Sequence, residues 1–118
     1  MGTFSVTIEA GDPQGRRFRP VEALVDTGAS YTTLPVSFLR DLGVSPHGQR
    51  PFLLATGETV MRDIGRTWVR IDGRVEMTIV VFADDDAPRL LGAVTLEEFG
   101  LGVDPVARKL IPVPGLLV

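Results

Sequence analysis

The sequence predicts an all-β domain carrying one or two short helices. Two observations predict it: apolar residues recur with period two, and turn chemistry breaks them about every eight to twelve residues. A third sets the scale, since 118 residues with 44% hydrophobic side chains suit one domain around one core. The chain is therefore read as a single domain over 1–118.

Phe4, Val6 and Ile8 alternate with polar residues and form a first strand, which ends at the Gly-Asp-Pro-Gln-Gly turn of positions 11–15. A return strand runs from about Arg17 to Val25 and becomes continuously apolar just before Asp26, the pattern of a strand covered on both faces. After a short stretch from Tyr31 to Leu34, Pro35 opens a helix through Leu42, where Phe38, Leu39 and Leu42 share a face and Gly43 stops it. The Pro- and Gly-containing segment from Ser45 to Pro51 is expected to be a loop. Leu53 to Ile64 reads as a hairpin with Ala55-Thr56-Gly57-Glu58 at its tip. Thr67 to Ile71 and Val75 to Phe82 flank Asp72-Gly73, a strong signal for a two-residue turn. After the apolar Leu90-Leu91-Gly92, Thr95 stands three residues before Glu98, the spacing of a capping box, and predicts a late helix ending at Gly100. Leu110 to Val118 is apolar but broken by Pro112 and Pro114, which suits an edge or interface strand.

Composition excludes several functions. With no Cys there is no disulfide scaffold, thiolate zinc site or cysteine nucleophile, and one His, His47, cannot build a histidine-rich metal centre. A net charge of -3, with its arginines scattered, argues against nucleic acid as a partner. No apolar run approaches the roughly 20 residues that span a bilayer. Met1-Gly2-Thr3-Phe4 lacks the charged start and apolar stretch of a signal peptide, so a soluble cytoplasmic protein with no membrane partner is expected.

The chemistry concentrates in Ala23-Leu24-Val25-Asp26-Thr27-Gly28-Ala29-Ser30. A carboxylate at the end of an apolar strand loses hydration and becomes a candidate general acid or base. Gly28 lets backbone or substrate come close to it. Taken as three residues alone, Asp-Thr-Gly is also ordinary turn chemistry.

The octapeptide resembles the active-site loop of retropepsin-like aspartic proteases, in which hydrophobic residues precede Asp-Thr-Gly and Ala or Ser follows. Downstream, the Leu53 to Ile64 hairpin resembles the flap of that family. Leu90-Leu91-Gly92 and the helix from Ala93 to Phe99 resemble the elements after the flap. The tail from Gly102-Val103-Asp104-Pro105 to Arg108-Lys109-Leu110-Ile111-Pro112 is similar to that of stand-alone bacterial members. The resemblance covers roughly positions 3 to 112. It implies a closed or partly closed β-barrel and an aspartic endopeptidase with Asp26 catalytic, Thr27 and Gly28 completing the active-site loop, and no metal or other cofactor. Ala29 and Ser30, with Ala55, Thr56, Gly57 and Glu58 of the flap, are then expected to bind a peptide or protein substrate. Leu54, Val60, Val81 and Leu90 are expected as pocket walls.

Such chemistry uses two carboxylates that share one proton, yet the sequence holds a single Asp-Thr-Gly. The second carboxylate is expected from Asp26 of another copy in a symmetric homodimer. The alternative is a catalytically silent retropepsin-like module that binds peptides or dimerises. Other motifs carry less. His47 beside Ser5, Ser30, Ser37 or Ser45 makes no convincing nucleophile pair, and Asp84-Asp85-Asp86 lacks the spaced ligands of a calcium loop. Trp68 fits recognition or sheet packing equally. Lys109, the only lysine, follows Arg108 instead of the glycine a phosphate loop needs.

Overall fold

The computed structural model describes residues 4–118. The first three positions of the expected domain, including position 3 where the resemblance begins, lie outside the described residues. Strands β1 (Ser5–Gly11) and β2 (Phe18–Val25) form the expected antiparallel hairpin, with Ser5 opposite Leu24 and Gly11 opposite Phe18. Its turn is closed by Asp12, whose Oδ1 accepts the amides of Arg16 and Arg17 at 2.7 and 3.0 Å. β3 (Thr32–Pro35) leads into α1 (Val36–Asp41). An orphan amide at the start of this helix, that of Ser37, donates to Oδ1 of Asp85 at 3.1 Å, so the acidic run serves as a remote cap.

The next segment differs from expectation. Gly48–Leu53 is a strand, β4, where a loop was expected up to Pro51, so the hairpin begins at Gly48 instead of Leu53. β4 pairs only with β5 (Thr59–Ile71), and an outermost strand tolerates the amide that Pro51 lacks. The tip closes through the Gly57 amide, which donates to the Leu54 carbonyl at 2.9 Å. β5 also runs unbroken through positions 65 and 66, where a gap between two strands was expected. Gly65 is there for close packing: a β-carbon would lie 3.0 Å from both the Phe82 ring and the Ser45 carbonyl.

β5 turns into β6 (Arg74–Ala83) at Asp72-Gly73, whose φ values of 50° and 81° are the left-handed pair that a two-residue hairpin turn requires. β7 (Leu90–Leu91) then inserts between β2 and β3, parallel to the first and antiparallel to the second. The pairings β1–β2–β7–β3–β6–β5 return to β1 through Ala10 opposite Val69, which closes the sheet on itself as a barrel.

Helix α2 (Ala93–Phe99) follows Gly92, which occupies its N-cap position in extended conformation. The expected capping box does not form. Thr95 lies inside the helix, fully buried, with its hydroxyl 2.6 Å from that of Thr32 and 2.8 Å from that of Thr78. The apolar tail is strand only as far as Pro112: β9 (Lys109–Pro112) pairs with β8 (Leu101–Asp104) in a separate two-stranded sheet. Residues 113–118 have no regular structure; the Val113 amide still donates to the Gly100 carbonyl at 2.8 Å, and Pro114 then lacks an amide for any longer ladder.

The barrel interior is filled by Ile8, Ala10, Leu34, Val69, Val80, Leu91 and Phe99, with Leu39 of α1 and Leu42 just after it packed beneath. Each large apolar side chain buried this way contributes about 1.5–3 kcal/mol. Among the described residues, no helix is long and apolar enough to cross a membrane.

Candidate active site

Three strand ends fix the position of Asp26. Leu24 donates its amide to the Arg89 carbonyl at 2.8 Å, Val25 to that of Phe4 at 2.8 Å, and Asp26 itself to that of Leu91 at 3.0 Å. The inserted β7 thus holds the end of β2, and the Asp26 side chain emerges half-buried from a strand whose last residue, Val25, is in the core.

The loop beyond is tied on both sides. The Gly28 amide donates to Asp26 Oδ1 at 2.9 Å, and the Ala29 amide to the Asp26 carbonyl at 3.1 Å. The carbonyls of Ala29 and Ser30 accept the first two amides of α2, from Ala93 and Val94, at 2.8 and 2.9 Å. Amides that a helix cannot satisfy internally are therefore spent on the loop.

A line of buried hydroxyls sets how α2 meets that loop. The Gly92 amide donates to Thr32 Oγ1 at 3.1 Å, and Thr78 Oγ1 donates to Glu98 Oε1 at 2.6 Å. A hydroxyl has one proton, so the Glu98 end orients the whole line: Thr78 donates to Glu98, Thr95 to Thr78, and Thr32 to Thr95, with Thr32 also accepting from Gly92. Every buried polar side-chain atom among the described residues has a partner.

Beside the loop runs a groove of about 660 Å³. Gly28, Ala29 and Ser30 form its near edge, and the four expected walls, Leu54, Val60, Val81 and Leu90, all line it. Ala55, Thr56, Gly57 and Glu58 do not: they are exposed at the tip of the β4–β5 hairpin, whose arms supply Phe52, Leu53, Leu54 and Val60 instead. Thr27 is exposed beside Asp26.

Sequence reasoning missed Tyr31 and Phe52, which meet edge to face with ring centroids 6.0 Å apart, and Arg50, whose guanidinium lies 5.5 Å from the Tyr31 centroid. Arg50 and Phe52 precede the hairpin that the sequence marks at Leu53, in a stretch whose Pro and Gly residues read as loop. The weaker motifs have structural roles. His47 is exposed and its amide bonds the Ile64 carbonyl at 2.9 Å. Trp68 donates its indole N–H to the Pro13 carbonyl at 3.2 Å. Among the described residues no three His, Asp or Glu side chains converge.

Comparison with known proteins agrees with this geometry. The EIAV protease, solved in complex with the inhibitor HBY-793, is 19% identical, with a TM-score of 0.58 over 84% of this chain and 89% of that one. The simian foamy virus (mac) protease in solution is 20% identical, with a TM-score of 0.57 over 80% and 92%. These likenesses establish the retropepsin-like fold. Among curated proteins none matches the sequence significantly. The family model for aspartyl protease matches residues 5–102, from the first strand through the Asp26-Thr27-Gly28 loop to β8, and the chain belongs to that aspartyl protease family.

Proposed function

We propose that the protein is an aspartic endopeptidase working as a homodimer in which two copies of Asp26 meet across a two-fold axis. The observation that carries this reading is the setting of Asp26: one oxygen is held by the Gly28 amide, and Oδ2 has no protein partner among the described residues. A carboxylate oriented on one oxygen and open on the other suits activation of a water.

In the dimer, two carboxylates about 3 Å apart cannot both ionise, so they share a proton. The ionised Asp26 takes a proton from the bound water as general base. The protonated one polarises the scissile carbonyl and then protonates the leaving amine, with no covalent intermediate. Thr27 ties the two loops across the axis. An extended peptide adds as a strand along Gly28 to Ser30, with the groove walls receiving alternate side chains. The hairpin tip, Ala55 to Glu58, closes over it and excludes water.

The test is Asp26→Asn. With a denatured protein pool as substrate at pH 4 to 7, the parent cleaves and the variant does not, while its circular dichroism and sedimentation match the parent. Cleavage by the variant near the parent rate overturns the assignment.

A further inference from the structure

Three charged side chains, Arg50, Arg62 and Asp84, reach the groove. Two of them compensate each other: Arg62 Nη2 lies 4.0 Å from Asp84 Oδ2, and Arg62 Nη1 also donates to its neighbour's carbonyl, that of Met61. Arg50 differs. It stands opposite Arg62 in the β4–β5 register, so its nearest cross-strand neighbour repels it. None of the ion pairs among the described residues includes it.

What holds Arg50 is neutral. Its Nη1 donates to the Tyr31 hydroxyl, and the guanidinium lies over the Tyr31 ring, which Phe52 fixes edge-on. An aromatic face and a hydroxyl orient the cation without neutralising it. An arginine has five donors, and a planar fork positioned in this way suits bidentate capture of a carboxylate. The rest of the lining is mainly apolar, but Arg50 itself is exposed, so a pair formed here is screened by solvent and contributes modestly.

We propose that Arg50 makes the groove selective for peptides with an acidic side chain, Glu or Asp, at the position that docks against Tyr31. Its catalytic part rests on the endopeptidase reading above; its binding part does not. In this proposal Arg50 selects the peptide and takes no part in the bond cleavage.

The probe is a set of fluorescent heptapeptides that differ only in Glu or Gln at one of the seven positions. Binding is measured on the Asp26→Asn protein by anisotropy, and kcat/KM on the parent. At one position Glu binds roughly two- to fivefold tighter than Gln, the range of an exposed ion pair, and the preference shrinks with salt. Adding Arg50→Gln removes the preference, and Arg50→Lys, which keeps the charge but loses the fork, retains part of it. On the parent the same preference appears mainly in KM. Equal binding of Glu and Gln at every position overturns the inference, as does a preference that survives Arg50→Gln. So does a change in oligomeric state in Arg50→Gln, which would assign the cation to a contact between copies. A parent that cleaves no peptide while the binding preference stands would instead overturn the endopeptidase reading alone.

Discussion

Gly92 abuts the backbone of Tyr31 so closely that a β-carbon on it would lie 2.5 Å from the Tyr31 carbonyl carbon and 2.7 Å from its oxygen. Both obstacles are main chain, so no rotamer change relieves them. The contact lies where α2 docks on the loop that carries Asp26. Gly92→Ala is therefore expected to destabilise the fold by about 3 kcal/mol or more, at the upper end of overpacking. Urea denaturation checks this, and a midpoint within error of the parent would show that the helix can move away freely.

The hydroxyl line yields a second prediction. Thr95→Val keeps the volume but removes the acceptor of Thr32 and the donor to Thr78, both fully buried. Leaving buried polar groups without partners costs roughly 1–3 kcal/mol. Thr95→Ser keeps the hydroxyl and loses one methyl, so it should cost about 1 kcal/mol. The expected order in urea midpoint is parent, Ser, then Val. A Val variant as stable as the Ser variant would show that the hydroxyls contribute packing only.

These two positions also mark what the sequence could and could not disclose. Period-two alternation and the Asp72-Gly73 turn are local features, and the structure follows both, because side-chain alternation and left-handed backbone leave their mark on adjacent residues. The capping-box spacing at Thr95 is equally local, yet it loses to buried partners 63 and 17 residues away, which leave no local trace. β4 escaped notice for another reason. Its residues are exposed apart from Phe52, so its sequence shows no inward alternation, and Arg50 and Pro51 read as loop. Gly65 reads as a break in a strand, but its role is close approach to Phe82, a contact across the β5–β6 pair. Asp26 was legible because apolar strand, carboxylate and glycine are consecutive; the cation facing its groove was not.

A third prediction concerns acid. The Glu9 carboxylate accepts both Nε and Nη2 of Arg70, at 2.7 and 3.0 Å, while the guanidinium lies 4.2 Å from the Phe18 ring centroid. Arg70, through these hydrogen bonds first, holds Glu9 below its ordinary value of 4.5, against a smaller opposing effect of desolvation. A lowered native pKa means that the unfolded chain binds the proton more readily. The stabilisation is present above pH 4.5 and is lost as pH falls through the native value. Glu9→Gln should thus be less stable than the parent at pH 7, with the gap narrowing steadily below pH 4.5. Thermal melts across pH 2.5 to 7 check it; a gap independent of pH would show that the pair acts through shape alone.

The last prediction tests the dimer through two highly exposed leucines. Leu116 and Leu117 lie outside the core with 93% and essentially all of their surface open, beyond a strand that Pro112 ends. Two leucines in water forgo about 1.5–3 kcal/mol each relative to burial. A second copy meeting Asp26 across the axis is the occupant that the proposed function supplies. If the tail packs there, Leu116→Asp with Leu117→Asp places two charges in the contact. The double variant should raise the dimer dissociation constant at least about tenfold, since only part of the buried area converts into affinity. Monomer stability should change by less than about 0.5 kcal/mol, because neither side chain touches the core. Sedimentation equilibrium from low to high micromolar concentration reads the first quantity and urea denaturation at low concentration the second. A dimer as tight as the parent's would place the two-fold contact elsewhere, and a large loss of monomer stability would assign the tail to this chain's own fold.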